Sequence, residues 1–147
     1  MKTLNVDGKS VKFQLWDTAG LEKYGNISLS YYKSADGIFL VYDITDLQSF
    51  QNLNSWLIEI EKKAPKDSYK ILVGNKCDME SERKVTVKQG EDFAAQYGMN
   101  FFETSAKESI NVSEPFIEMI RDIIIPNNKN KAINLNKNII LKKYLSY

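Results

Sequence analysis

The chain has 147 residues, so a single domain is the natural expectation. Its 20 Lys and Arg residues nearly balance 19 Asp and Glu residues, and a net charge of +1 gives no reason to expect nucleic acid or an anionic membrane as the partner. One cysteine excludes an intrachain disulfide, and the lack of histidine removes the commonest general base and metal ligand. No apolar run approaches the roughly 20 residues of a membrane-spanning helix.

The first predicted elements are two strands, Thr3–Val6 and Val11–Trp16, joined by the hairpin turn Asp7-Gly8. Apolar and polar residues alternate in the second strand, which indicates one buried and one solvated face. The continuous apolar run Gly37–Asp43 is typical of a parallel strand that is buried on both faces. A helix capped by Asp46 is predicted to follow it, running to about residue 63.

Further strands alternate with helices in the second half of the chain. Lys70–Asn75 and Asn100–Thr104 are predicted strands, Thr86 begins a helix with a capping box, and Ser113 begins another that ends at Pro126. This alternation predicts an α/β sheet with helices on both faces. The helix residues expected to face the core are Phe50, Leu53, Leu57, Ile60, Phe93, Ala94, Tyr97, Phe116, Ile117, Ile120, Ile123 and Ile124.

The end of the chain has a different composition. Residues 127–138 include six asparagines and three lysines, which is typical of a flexible segment. We therefore expect a domain of residues 1–125 and a flexible Asn/Lys-rich tail of residues 126–147. The apolar stretch Ile139–Tyr147, with its Lys142-Lys143 pair, could form a short amphipathic helix, but the composition favours a loose tail.

The motif Asp17-Thr18-Ala19-Gly20 directly follows a predicted strand, where ligands of such sheets bind. An aspartate at a strand end can hold Mg²⁺ through water. Gly20 would let a backbone N–H approach a terminal phosphate closely, and the polar segment after it could order or relax with that phosphate. An ordinary turn explains this motif equally well.

The motif Asn75-Lys76-Cys77-Asp78 also follows a predicted strand, Lys70–Asn75. The Asp78 carboxylate could accept two hydrogen bonds from guanine, a donor pair that adenine lacks. The Lys76 stem could lie along the base, and Asn75 could tie neighbouring loops together. The alternative is a polar turn with a helix cap, and Cys77 is best explained as a small packing residue.

The motif Glu103-Thr104-Ser105-Ala106-Lys107 follows the last predicted strand. Here the backbone N–H of Ala106 could reach the guanine O6 atom, whereas the alternative is an ordinary strand-to-loop junction. Each motif is weak by itself. Together, in this order and at successive strand ends, the three are very improbable by chance.

These three motifs resemble the signatures of the Ras superfamily, whose phosphoryl-transfer chemistry is well understood. Over about residues 1–125 the chain is similar to Rab proteins in particular. The segments that carry this second resemblance are Lys12–Trp16, Lys23–Ser28, Tyr31–Ala35 and Leu40–Thr45.

The resemblance implies a P-loop NTPase-like (small G protein) doubly wound sheet and a guanine-nucleotide-dependent switch in vesicle traffic. It implies GTP or GDP with Mg²⁺ as cofactor, and a location in the cytoplasm or peripherally on endomembranes. Effectors and exchange factors would contact residues near Trp16, Ile27, Tyr31 and Tyr32. The metal would lie at Asp17, and the nucleotide would contact Gly20, Asn75, Lys76, Asp78, Ser105, Ala106 and Lys107.

The sequence also departs from that family. It contains no G-x-x-x-x-G-K-[ST] loop, so we expect an N-terminally truncated domain without its first strand, P-loop and first helix. That strand would lie between those of Val11–Trp16 and Gly37–Asp43. It would bury about five large side chains at roughly 1.5–3 kcal/mol each, comparable to the net stability of a domain. We therefore expect that the chain alone does not reach a stable fold, and phosphate binding becomes doubtful.

Two further departures concern activity and membrane attachment. Leu21 occupies the position where the family usually has the glutamine that orients the attacking water, which predicts slow GTP hydrolysis. No cysteine follows Cys77, so the sequence shows no prenylation site. Two alternative interpretations are a nucleotide-independent effector-binding module and a non-functional gene fragment.

Overall fold

The computed structural model describes residues 1–18, 31–124 and 136–143. Its strands form one six-stranded sheet. The strands are β1 (Lys2–Val6), β2 (Lys9–Asp17), β3 (Gly37–Asp43), β4 (Tyr69–Asn75), β5 (Asn100–Thr104) and β6 (Asn136–Lys143). The helices named here are α1 (Leu47–Gln51), α2 (Leu53–Lys63), α3 (Val87–Gln96) and α4 (Ser113–Ile124).

The strands lie in the order β1-β2-β6-β3-β4-β5. β1 and β2 are antiparallel, and every other neighbouring pair is parallel. The hairpin turn is confirmed, because Asp7 and Gly8 both have positive φ angles, 50° and 76°, as a tight two-residue turn requires. Parallel strands that alternate with helices along the chain confirm the predicted α/β architecture.

The position of β6 differs from the expected loose tail. Asn136–Lys143 forms a strand that is parallel to both β2 and β3, and it fills the place between them that the missing first strand would have in the family. Ile139 lies level with Leu15 of β2 and Gly37 of β3, and it is fully buried. The facing edges of β2 and β3 would present unpaired backbone N–H and C=O groups, and the backbone of β6 pairs with both.

Helices cover both faces of this sheet. On one face, α1, α2 and α3 pack over Leu40, Tyr42 and Leu72. On the other, α4 packs over Phe39 and Ile71. This arrangement leaves the carboxyl ends of the parallel strands at one edge, where a ligand can enter.

Local details differ from the sequence expectations at three places. The helix capped by Asp46 is interrupted at Asn52 and continues as α2. Tyr97, expected in the core, is 39 % exposed, whereas Met119 is fully buried. Among the described residues, no helix combines the length and apolarity that crossing a membrane would need.

Candidate functional site

Two of the predicted motifs meet at the carboxyl edge of the sheet. Asp43, Asn75 and Thr104 end β3, β4 and β5 and lie level with one another in the register. The backbone N–H of Cys77 donates to the carbonyl oxygen of Thr104 over 3.0 Å. The loops after β4 and β5 therefore form one continuous surface, which sequence alone could only suggest.

Asn75 joins these two loops through its side chain, as predicted. Its Oδ1 atom accepts hydrogen bonds from Thr104 Oγ1 at 3.3 Å and from the Ala106 backbone N–H at 3.2 Å. The Ala106 N–H, which we expected to face guanine O6, is thus already donated within the chain. A base at this edge would share or replace that bond.

Lys76 is held by an aspartate that the sequence analysis did not assign to the site. Lys76 has a φ of 68°, and its Nζ atom lies 2.6 Å from Asp43 Oδ2. Asp43 Oδ1 also accepts hydrogen bonds from Thr45, at 2.8 Å from its backbone N and 2.7 Å from its hydroxyl. An aspartate two residues before a threonine at a strand end was the signal that could have identified this contact.

The ionisation of this pair follows from its surroundings. Burial by itself would raise the pKa of Asp43, but the hydrogen bonds from Lys76 and Thr45 outweigh burial and lower that pKa below its ordinary value. The hydrogen bond to Asp43 in turn raises the pKa of Lys76. Both groups are therefore charged near neutral pH, and the lysine stem is fixed at the edge of the sheet.

One carboxylate oxygen of Asp78 lacks a hydrogen-bond partner within the part of the chain that the structure describes. Its Oδ1 atom is buried and has no hydrogen-bond partner among the described residues. Buried polar atoms in native proteins are nearly always hydrogen-bonded, so an unpaired carboxylate oxygen at the carboxyl edge of the sheet indicates a missing donor. The donors of a guanine base would satisfy it.

The remaining predicted residues have different surroundings. Ser105 is fully buried, and its hydroxyl accepts a hydrogen bond from the Glu108 backbone N–H at 3.0 Å, so it shapes the loop. The side chain of Lys107 is 81 % exposed, with Nζ 3.8 Å from Glu108 Oε1. Asp17 ends β2 and is exposed.

Three of the predicted functional residues are outside the described residues: Gly20 and Leu21 of the predicted phosphate region, and the predicted partner contact Ile27. In the described part of the chain, no group of three or more acidic, histidine or cysteine side chains is arranged to hold a metal ion. The described members of the predicted site are therefore Asp17 and the residues of the motifs that begin at Asn75 and Glu103.

Comparison with known proteins decides the family. A profile of the Ras family matches residues 1–125. The chain belongs to the Ras family and, within it, to the Rab small GTPases. It is 45 % identical over 137 residues to the Ras-related protein Rab-13 of Bos taurus. It is 48 % identical over 129 residues to Rab-8 of Diplobatis ommata, and 52 % identical over 123 residues to Rab-1D of Dictyostelium discoideum.

These matches cover most of the chain but less of each relative. They include 93 %, 88 % and 84 % of this chain, and 68 %, 61 % and 60 % of Rab-13, Rab-8 and Rab-1D. The chain thus spans about two thirds of the length of these Rab relatives.

The resemblance to Rab proteins also predicts partner contacts near Trp16, Tyr31 and Tyr32. These three side chains differ in their exposure to solvent. Trp16 is 37 % exposed, and its ring centroid lies 4.5 Å from that of Tyr31. These two rings form an aromatic pair next to the end of β2. Tyr32 is only 1 % exposed and belongs to the core under the sheet. The Tyr32 side chain itself is therefore not accessible to a partner.

Proposed function

We propose that this Rab-family chain binds guanine nucleotides at the Asp78 edge and serves as a nucleotide-dependent switch in intracellular membrane traffic. The observation that carries the proposal is the buried, unpaired Oδ1 atom of Asp78 at the carboxyl edge of the sheet. Membership of the Rab family supports the same conclusion. Its place of action would be the cytoplasm, with peripheral association to endomembranes.

Base recognition would follow from the carboxylate chemistry. Guanine offers N1–H and an exocyclic amine as two parallel donors, whereas adenine offers no such pair, so Asp78 would select guanine. The Lys76 stem, tethered to Asp43, would cover the base. The Ala106 N–H would pass from Asn75 to the guanine O6 atom. Ser105 would maintain the loop that presents it.

The phosphate half of the site rests on fewer residues. Asp17 would be the protein ligand of Mg²⁺, an ion that neutralises phosphate charge when bound, and the Gly20 backbone would approach the terminal phosphate. The sequence contains no G-x-x-x-x-G-K-[ST] loop, which carries most phosphate contacts in such sheets. We therefore propose that the base contributes most of the affinity of this chain for GDP.

Hydrolysis would be slow, because the Leu21 side chain can neither donate nor accept a hydrogen bond to an attacking water. Leu21→Gln should raise the single-turnover rate of GTP hydrolysis. A rate that stays the same would show that water orientation at this position does not limit turnover.

Exchange of base specificity provides the direct test of the binding proposal. An asparagine at position 78 presents one acceptor and one donor, which match the N1–H and 2-oxo groups of xanthine. Asp78→Asn should therefore weaken GDP binding and strengthen xanthosine diphosphate binding in titrations with Mg²⁺. Asp92→Asn is the matched control, because Asp92 lies on the exposed face of α3. Equal GDP affinity for the unmodified chain and Asp78→Asn would refute the assignment.

We further propose that effectors and exchange factors bind the Trp16–Tyr31 aromatic pair. Aromatic rings at a surface supply a large contact area at a low entropic cost; Trp16 is exposed and Tyr31 is partly exposed. Trp16→Ala should abolish co-purification of GTP-dependent partners, while Tyr97→Ala, at an aromatic residue of similar exposure, should not.

A further inference from the structure

Arg83 and Glu103 form a two-point ion pair between the segment that follows β4 and the end of β5. Arg83 Nη1 lies 2.7 Å from Glu103 Oε1, and Arg83 Nη2 lies 2.8 Å from Glu103 Oε2. Their side chains are only 13 % and 17 % exposed. Two parallel charge-assisted bonds fix orientation as well as distance. The pair therefore resists both separation and rotation of the segments it joins.

Arg83 is also anchored on its own side. Its Nη1 atom donates to the Val85 carbonyl oxygen at 2.9 Å, and its Nε atom donates to Glu80 Oε2 at 2.8 Å. The backbone N–H groups of Lys84 and Val85 both donate to the carbonyl oxygen of Ile44, at 2.8 and 3.0 Å. The guanidinium is thus held against the end of β3 and cannot swing away freely.

Glu103 is also anchored on its own side, near the end of β5. Its carbonyl oxygen accepts a hydrogen bond from Asn111 Nδ2 at 3.0 Å. Ser105 and Ile110 exchange two backbone hydrogen bonds of 3.0 and 2.9 Å, which close the turn between them. A shift of Glu103 would therefore move the loop that carries Ala106.

The pair lies close in sequence to both proposed base contacts: Asp78 precedes Arg83, and Ala106 follows Glu103. We propose that the Arg83–Glu103 ion pair acts as a brace, meaning that it fixes the distance between Asp78 and Ala106. Arg83 and Glu103 are then positioning residues for recognition of the base. The ligand named here rests on the proposed function, whereas the brace itself is a property of the two loops. The competing explanation is an ion pair that merely stabilises the fold.

Nucleotide discrimination separates these explanations. Inosine diphosphate lacks the exocyclic amine of GDP, so the ratio of the two affinities reports how well Asp78 is placed. Arg83→Gln should lower the GDP preference by about tenfold, roughly 1.4 kcal/mol. Arg83→Lys, which keeps the charge without the planar fork, should give an intermediate ratio. Lys88→Gln is the matched control, since it removes an exposed pair of 2.9 Å with Asp92.

A second measurement needs no nucleotide. Cys77 is the only cysteine of the chain and lies between the motif residues Lys76 and Asp78. Burial and the carboxylates of Glu103 and Asp78 raise the pKa of its thiol, while the Arg83 charge acts to lower it. If Arg83→Gln removes this charge and the loop does not move, the pKa of the Cys77 thiol rises further. Cys77 would then react more slowly with an aromatic disulfide reagent. Opening of the loop would expose the thiol and accelerate the reaction.

We expect Arg83→Gln to accelerate Cys77 modification and to lower the GDP preference, with Lys88→Gln unchanged in both. An unaltered affinity ratio, or a slower Cys77 reaction, would overturn the brace. If the unmodified chain binds no GDP, the proposed function fails and the Cys77 rate alone decides about the brace. Should Arg83→Gln not fold, Arg83→Lys answers the same questions.

Discussion

Ile139, in the last strand of the described chain, pairs with Gly37, the first residue of β3. On its other side Ile139 pairs with Leu15 of β2. β6 therefore joins the β1–β2 hairpin to the β3–β4–β5 sheet. Because parallel strands need a partner at each inner edge, the cohesion of the sheet depends on a segment whose composition is that of a loose tail.

Replacement of Ile139 tests the place of β6 in the core. Ile139→Ala should lower the free energy of unfolding by about 2–5 kcal/mol, because the residue is fully buried and its removal leaves a cavity. Ile58→Ala is the control, since Ile58 is 53 % exposed and should cost less than about 0.5 kcal/mol. Urea titration measures both. Equal midpoints for the two variants would mean that residue 139 lies outside the core.

Deletion of residues 126–147 tests whether β6 closes the sheet. The whole chain should show a cooperative thermal transition and native-like near-UV circular dichroism, contrary to the expectation from sequence alone, because β6 occupies the place of the strand thought to be missing. The deleted chain should lose both signals, since β2 and β3 would face each other unpaired. Identical melting curves would argue that β6 contributes nothing to stability.

The Asp43 carboxylate should make stability depend on acid pH. Its folded-state pKa lies below the ordinary value of 3.8, so its stabilisation is complete above that value and is lost as pH falls through the folded-state pKa. Asp43→Asn should therefore cost about 1 kcal/mol at pH 7. The difference from the unmodified chain should shrink below about pH 4. Denaturant titrations across this range, with Asp92→Asn as control, measure it; a constant difference would contradict the assignment.

The contribution of phosphate can be measured by shortening the ligand. If the base-facing residues Lys76, Asp78 and Ala106 supply most of the binding energy, guanosine, GMP and GDP should bind this chain within about tenfold of one another. Competition against a fluorescent guanine nucleotide gives the three affinities. A GDP affinity that exceeds guanosine by several orders of magnitude would reveal a phosphate site in residues that the structure does not describe.

Local patterns in the sequence determined much of this fold. The apolar run Gly37–Asp43 gave a buried parallel strand with the predicted bounds. Thr86 and Gln89 form the capping box that their spacing indicated. The Asp7-Gly8 turn also followed from local preference. Such features depend on residues that are neighbours in sequence, so their physical cause can be read along the chain.

The tertiary structure decided what depends on distant partners. Asn136–Lys143 has weak local preference for a strand, and it becomes one because β2 and β3 offer two unpaired edges. Residue pairs far apart in sequence, such as Lys76 with Asp43 and Arg83 with Glu103, likewise come together only when strands align. The sequence by itself determined the family, the motifs and their order. Strand pairing alone fixed which element lies at the centre of the sheet and which charges face each other at its edge.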